Sequence, residues 1–372
     1  MKQCLLLFLF SGVGLLLAAQ SPSVTLPSGG GSIKSFTGQR IGTTDVKITW
    51  DAPGVKGREG KIWGTQVAHY GFQNLNFGTS TAAPWRAGAN ENTTISFSTE
   101  VSIEGKTLPA GKYGFFIALY ADSCTLIFSK NHGAWGSYFY NPAEDALRVT
   151  VRQQKDLPAS RERLAYEFSD QTENSATIAL LWEHWRIPFR VSVDLTKVVI
   201  DNLRRELQGE KGFMYENWVA AAQFCLQRET NLEEALTWAE NASGSFFGVE
   251  TFTTLSLKAQ IQEKLGKTAD ADATLKKAMD KAAPFELHGY GRQLIADKKP
   301  AKALEIFEYN YKKHNGTWPT HVGLMRGYSA TGDLKKALEH GKLALAQAPD
   351  EMNKKSLESS IKTLSEGKAL AQ

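Results

Sequence analysis

The chain has 372 residues, 42% of them hydrophobic and 22% charged, with 43 Lys/Arg against 39 Asp/Glu and a formal net charge of +4. That length accommodates about two domains at roughly 100–200 residues each, and the composition excludes a wholly disordered chain. The charge is evenly spread, with 18 basic and 16 acidic residues over 20–200 and 24 and 23 over 201–372, so neither half has the basic excess of a nucleic-acid binder.

Met1-Lys2 gives a short positive end, Cys4 to Ala19 is almost wholly apolar, and Leu17-Ala18-Ala19 is a small-residue exit. This is the pattern of a secretory signal peptide, and the apolar run is short of the roughly 20 residues of a membrane span. Cleavage near Ala19 is expected (signal peptide 1–19), which implies a periplasmic or secreted protein with no membrane span after cleavage. Of three cysteines, Cys124 and Cys225 remain after cleavage. They fall in different predicted domains, so no disulfide framework is implied, and each reads as a small buried apolar residue.

Residues 20–39, with Ser28-Gly29-Gly30-Gly31-Ser32, read as a flexible leader. From Asp45 the period is two. Val46, Ile48 and Trp50 alternate with polar residues, as do Ile95, Phe97, Val101 and Ile103, and the pattern recurs through Tyr113–Leu119, Leu147–Val151, Leu164–Phe168, Ile178–Trp182 and Phe189–Val193. Alternation offers one apolar face per strand. It sends Trp182 inward and Glu183 outward. Turn chemistry at Glu104-Gly105-Lys106 and Pro109-Ala110-Gly111 separates the runs. About eight short strands at this spacing predict an all-β antiparallel sandwich over 40–200. Two long connections interrupt it, Pro53 to Ala89 and Ser129 to Ala143, and such loops are where binding groups collect.

From about Leu203 the period becomes helical. Ala235, Ala271, Ala303 and Ala337 open four similar segments, spaced 36, 32 and 34 residues apart. This is the period of tetratricopeptide repeats, and the last unit, with Leu324, Tyr328, Gly332, Ala337, Ala344 and Pro349, resembles that family most closely. An all-α helical repeat domain is expected over 201–366, closed by a polar capping helix at about Asn353–Leu364.

Arg40-Ile41-Gly42-Thr43-Thr44-Asp45-Val46, Val55-Lys56-Gly57-Arg58 with Ile62-Trp63-Gly64, Trp85-Arg86-Ala87-Gly88-Ala89-Asn90-Glu91, Leu108-Pro109-Ala110-Gly111-Lys112-Tyr113-Gly114 and Trp135-Gly136-Ser137-Tyr138 follow one another in this order. Together they resemble the uncharacterised bacterial domain-of-unknown-function family 2911, from about Arg40 to Val193. The resemblance implies an exported bacterial protein, often with helical repeats appended, and no established activity. The chain departs from the family pattern at Tyr70–Pro84, where a longer Gly- and Asn-rich insertion precedes Trp85.

Two groups could carry ligand chemistry in the β domain. Arg86, Asn90 and Glu91 combine an anion-holding fork, an amide and a carboxylate. Asn131, His132, Trp135 and Tyr138 combine directional hydrogen bonding with rings that could stack on a sugar. In the repeats, Tyr290, Arg292, Asn310, Lys313 and Arg326 are candidates for binding a protein or peptide. No metal-ligand spacing, nucleophile elbow, phosphate loop or dinucleotide fingerprint is present. No cofactor is therefore expected, and His132, His184 and Glu91 do not read as a metal site. The reading is an envelope binding or scaffold protein, the β domain holding a small ligand or glycan and the repeats docking a protein. The alternative is a hydrolase of glycan or peptide with Glu91 as general acid/base, which requires Arg86, Asn90, Glu91 and His132 to converge on one pocket. Whether the chain is an enzyme stays open at this point.

Overall fold

The structure, a computed structural model, describes residues 31–371. The expected signal peptide and most of the expected leader lie outside the described residues. The chain divides into two compact units, Met1–Val199 and Ile200–Gln372.

The first unit is an antiparallel β-sandwich of eleven strands among the described residues: β1 (Ile33–Ile41), β2 (Thr44–Ala52), β3 (Thr94–Phe97), β4 (Val101–Ile103), β5 (Lys106–Leu108), β6 (Gly111–Leu119), β7 (Cys124–Ser129), β8 (Asp145–Val151), β9 (Arg161–Ser169), β10 (Ser175–Glu183) and β11 (Trp185–Ser192). One sheet runs β1-β2-β3-β6-β7-β8 and the other β5-β4-β11-β10-β9. Their apolar faces meet through Phe115 and Phe128, which lie 5.7 and 6.2 Å from Phe189 by ring centroid. The Trp50 indole N–H crosses the core to the Leu164 carbonyl at 3.1 Å.

Ile33–Gln39, expected in a flexible leader, is instead part of β1. This edge strand pairs with β2 from Ile33↔Ala52 to Ile41↔Thr44. It lacks a clean apolar face, leaves Phe36 exposed, and is held by main-chain pairing, which side-chain alternation does not report. Glu183 also departs from expectation. At the β10–β11 turn it takes a left-handed φ of 52°, and its side chain folds back, buried, to accept the Gly60 N–H.

β3 pairs only with the first half of β6, Thr94↔Gly114 to Phe97↔Gly111. The long connection over residues 53–93 takes over its place. Phe115 N–H donates to Thr93, Ile117 exchanges bonds with Trp85, and Gly71 donates to Leu119, at 2.7–3.1 Å. On the outer face of the same sheet Phe116, Ala118, Ile127 and Tyr140 form a second small core with Phe72 against them. Both long loops therefore pack on β6–β7, and β6 is buried on both faces from Tyr113 to Leu119.

The second unit is a tetratricopeptide-like repeat array. After α1 (Leu195–Leu207) come four helix pairs, each joined by two to four residues: α2 (Tyr215–Gln227) with α3 (Leu232–Gly244), α4 (Phe252–Lys264) with α5 (Thr268–Lys281), α6 (Pro284–Ala296) with α7 (Pro300–Lys313), and α8 (Trp318–Thr331) with α9 (Leu334–Ala346). A closing helix, α10 (Glu351–Ser365), follows. The repeat alanines 235, 271, 303 and 337 all lie buried on the second helix of a pair, where a small side chain lets helices approach. No helix among the described residues is long and apolar enough to cross a membrane.

Phe307 shows how tightly the repeats interlock. It is fully buried on α7, and a Cβ added to Gly291 of α6 or to Gly323 or Gly327 of α8 would lie 2.4, 2.6 or 2.8 Å from its ring. Gly323→Ala should therefore destabilise the unit by about 1–3 kcal/mol through overpacking, even though alanine favours a helix by about 1 kcal/mol over glycine. In a Phe307→Ala background the same change should become neutral or stabilising. A double-mutant cycle in urea checks this; equal penalties in both backgrounds would refute the knob-and-slot packing.

Candidate functional site

The loop pairing described above leaves a cleft of about 400 Å³ beside β6, lined by Gln66, His69, Gln73, Asn74, Arg86 and Tyr138. Trp85 and Val67 supply apolar wall, and Ser137 adds a hydroxyl. Loop–loop contacts fix its shape. Ser80 N–H donates to the Tyr138 carbonyl at 2.9 Å. Gly78, at φ 75°, passes so close to that carbonyl that any Cβ would clash. Arg86 lies over the Tyr138 ring, its Cζ 4.9 Å from the centroid, and Gly136 leaves room for the guanidinium. One guanidinium N–H goes to the Asn90 carbonyl at 3.0 Å. No carboxylate pairs with Arg86 among the described residues. His69 is buried and its Nδ1 has no hydrogen-bond partner among them. Burial, joined by the nearby Arg86 cation, pulls the His69 imidazole below its ordinary range, so it is neutral near pH 7.

The two predicted groups touch through the Arg86 guanidinium on the Tyr138 ring, and the neighbouring Asn92 ties the two loops together. Asn92 donates through its main chain to Ala134 at 3.4 Å and through its side chain to the Asn131 carbonyl at 3.3 Å. Only Arg86 and Tyr138 of the seven candidates, however, line the cleft. Asn90 reaches Asp51 at 3.3 Å, and Glu91 accepts from Lys34 at 2.6 Å, the same ammonium that bonds Asp51 at 2.9 Å. Hydrogen bonding with Asp51 and with Lys34 holds the Glu91 carboxyl down at about 2, while burial raises that of Asp51. Asn131 turns its side-chain oxygen to the Gly133 N–H, and His132 and Trp135 are exposed outside the cleft. The convergence that a Glu91-based hydrolase requires is therefore absent, and the pull on Glu91 is opposite to that needed for a general acid near neutrality.

Sequence reasoning missed Gln66, His69, Gln73 and Asn74. They carry no period and no motif spacing; the one signal was their membership of the long Pro53–Ala89 connection, with Gln73 and Asn74 inside the Tyr70–Pro84 insertion. His184 sits elsewhere, its Nδ1 2.8 Å from the Leu157 carbonyl. Among the described residues no group of three His, Cys, Asp or Glu is placed to hold a metal ion. Cys124 and Cys225 are buried and unpaired, and burial pushes the Cys124 thiol up to about 12.

In the helical unit the five candidates separate by what already occupies them. Lys313 donates to the carbonyls of Met279, Asp280 and Ala282 at 2.7–2.9 Å, closing the C-terminal end of α5. Asn310 is fully buried and bonds the Pro284 carbonyl at 2.9 Å. Both side chains are engaged in ties between helices of the unit. Tyr290 is half-buried in a separate hollow with Leu294 and packs edge-on to Phe252. Arg292 of α6 and Arg326 of α8 come together in a cavity of about 410 Å³, which the chain's own Leu370 and Ala371 also line. Leu370 N–H donates to the Ser329 hydroxyl at 2.8 Å. The Arg326 Nε is buried without a partner, and burial together with the Arg292 cation lowers its pKa. Neither arginine has a carboxylate partner among the described residues.

Residues 32–191 match the model of a family described as a protein of unknown function (DUF2911). The N-terminal unit resembles that family. No curated protein matches the chain. Among solved structures, the chain is similar to a tetratricopeptide repeat protein from Parabacteroides merdae, at 14% identity over 45% of this chain and 68% of that one, with a TM-score of 0.28. It is also similar to MamA from Desulfovibrio magneticus, at 19% identity over 43% of this chain and 92% of that one, with a TM-score of 0.25.

His288 reports on the paired arginines. Burial first, then the Arg326 and Arg292 cations, hold its imidazole at about 4. Its folded pKa is below the unfolded value of about 6.5, so its contribution to stability is complete above about pH 6.5 and is lost as pH falls toward 4. The helical unit should lose on the order of 3 kcal/mol from this group across that window. Urea unfolding followed by helical circular dichroism at several pH values, wild type against His288→Gln, checks it. Parallel pH profiles for the two proteins would show that His288 is not the titrating group.

Proposed function

We propose that this protein works by binding, as an exported envelope scaffold whose helical repeats dock a protein or peptide while the β unit holds a small polar ligand. Export rests on the N-terminal positive end, apolar run and small-residue exit. Ligand holding rests on the polar cleft around Arg86. A sugar ring would have to use Tyr138, since Trp135 lies outside that cleft.

The observation that carries the reading is the Arg292–Arg326 cavity on the α6 and α8 helices. Two like charges held close with no acid between them among the described residues repel, and removing a guanidinium Nε from water without a partner costs about 1–3 kcal/mol or more. A bound carboxylate relieves both. Main chain is already accommodated on this face, because Leu370 and Ala371 line the cavity and the Leu370 N–H bonds Ser329. The partner expected is an acidic, extended peptide segment.

The test is fluorescence anisotropy of labelled acidic and basic peptides against the full chain. Acidic peptides should bind and basic ones should not. Arg326→Gln and Arg292→Gln should each weaken binding about tenfold, and affinity should fall with added salt. Equal binding of both peptide classes, or binding untouched by both substitutions, would refute the reading.

A further inference from the structure

The cleft of the β unit has a simple charge inventory. Of its lining residues among those described, only Arg86 carries a fixed charge; no Asp, Glu or Lys is among them. His69 is kept neutral by burial. The Arg86 guanidinium uses one N–H on the Asn90 carbonyl and lays one face on Tyr138, which fixes its plane and leaves further N–H groups of the fork for a ligand. The neighbouring carboxylates Asp51 and Glu91 bond Lys34 rather than the guanidinium. Among the described residues the cleft is thus a site with one fixed positive charge in its lining, a planar donor fork held on Tyr138, and the amides of Gln66, Gln73 and Asn74 around it.

We propose that this cleft binds a small monoanionic hydroxy acid, its carboxylate on the Arg86 fork and its hydroxyls on the amides of Gln66, Gln73 and Asn74. The inference rests on the reading of the β unit as a ligand holder and specifies what it holds. A planar carboxylate matches a guanidinium fork with two parallel hydrogen bonds. A phosphate dianion would face a single compensating charge here, with no lysine in the lining. A neutral sugar would leave that charge unpaired. A volume of about 400 Å³ suits a molecule of sugar-acid size. Trp85 and Val67 give such a molecule an apolar wall for its C–H face.

Titration calorimetry of the full chain with glucuronate, gluconate and lactate, beside glucose and inorganic phosphate, decides the matter. At least one hydroxy acid should bind, and glucose and phosphate should bind about tenfold more weakly or not at all. Arg86→Gln should weaken the acid about tenfold or more, and Arg86→Lys, which keeps the charge and loses the fork, should fall between. Arg86→Lys also covers the case in which Arg86→Gln fails to fold against Tyr138 and Gly136. Glucose binding as tightly as the acids, and lost in Tyr138→Ala, would overturn the carboxylate and leave a ligand site standing. Phosphate binding as tightly as the acids, or an acid affinity unchanged in both Arg86 variants, would overturn the proposal. Absence of binding by all five compounds would overturn both the proposal and the ligand-holding reading.

Discussion

A strand buried on both faces cannot leave its amides unpaired, because each main-chain N–H or C=O taken from water without a partner costs as much as a lost hydrogen bond. β6 meets this constraint in two halves. Its first four residues pair with β3, and β3 then ends. From Phe115 onward the partners must come from the 53–93 connection, and they do, at Thr93, Trp85 and Gly71. A segment without regular strand structure is in this way pinned as firmly as a strand would be at those points. The cleft walls at Gln66–Asn74 and at Trp85–Arg86 stand where they do because β6 needs their neighbours' main-chain groups.

The second long loop answers to the same sheet from outside. Tyr140 is buried against Phe116, and its hydroxyl donates to Asp145 at 2.7 Å while accepting from Arg148 at the same distance. Arg148 also bonds Asp145 at 2.6 Å and stands 5.5 Å from the Phe72 ring centroid. That network ties together residues from both loops and holds Ser137 and Tyr138 against the Gly78 segment. A cleft assembled this way is preorganised: its shape is determined by hydrogen bonds and packing that exist before any ligand arrives, which reduces the ordering cost of binding.

Much of the architecture was legible because it is written in side-chain period. Val46, Ile48 and Trp50 are buried on β2 as alternation requires, and the four repeat alanines fall in the same place on four helices. What escaped was structure made by main chain. β1 is held by its register with β2, and its exposed Lys34, Phe36 and Gly38 look like a leader. The cleft was half legible. Arg86 and Tyr138 stood in recognisable stretches, whereas His69 and Gln73 are placed by isolated contacts of a loop. The main-chain bonds of Lys313 and Asn310 escaped for a different reason. A lysine or asparagine on a helix has the same appearance in sequence whether it faces solvent or closes a neighbouring helix, and only the position of the α5 carbonyls and of Pro284 distinguishes the two.

The contrast between paired and unpaired charge favours binding over chemistry in this molecule. Several charged side chains that serve the fold bond an opposite charge: Lys34 with Asp51 and Glu91, Arg148 with Asp145, Arg204 with Glu234. Arg86 in one unit and Arg292 with Arg326 in the other have no carboxylate partner among the described residues, and each lines a cavity. Acid–base catalysis works best with a group whose pKa lies near the working pH. Burial lowers the His69 and His288 imidazoles, and the neighbouring arginine cations lower them further. Imidazoles kept neutral by burial first, and by a neighbouring cation after it, make poor proton relays, while a fixed positive charge lining a cavity makes a good anchor for an entering anion.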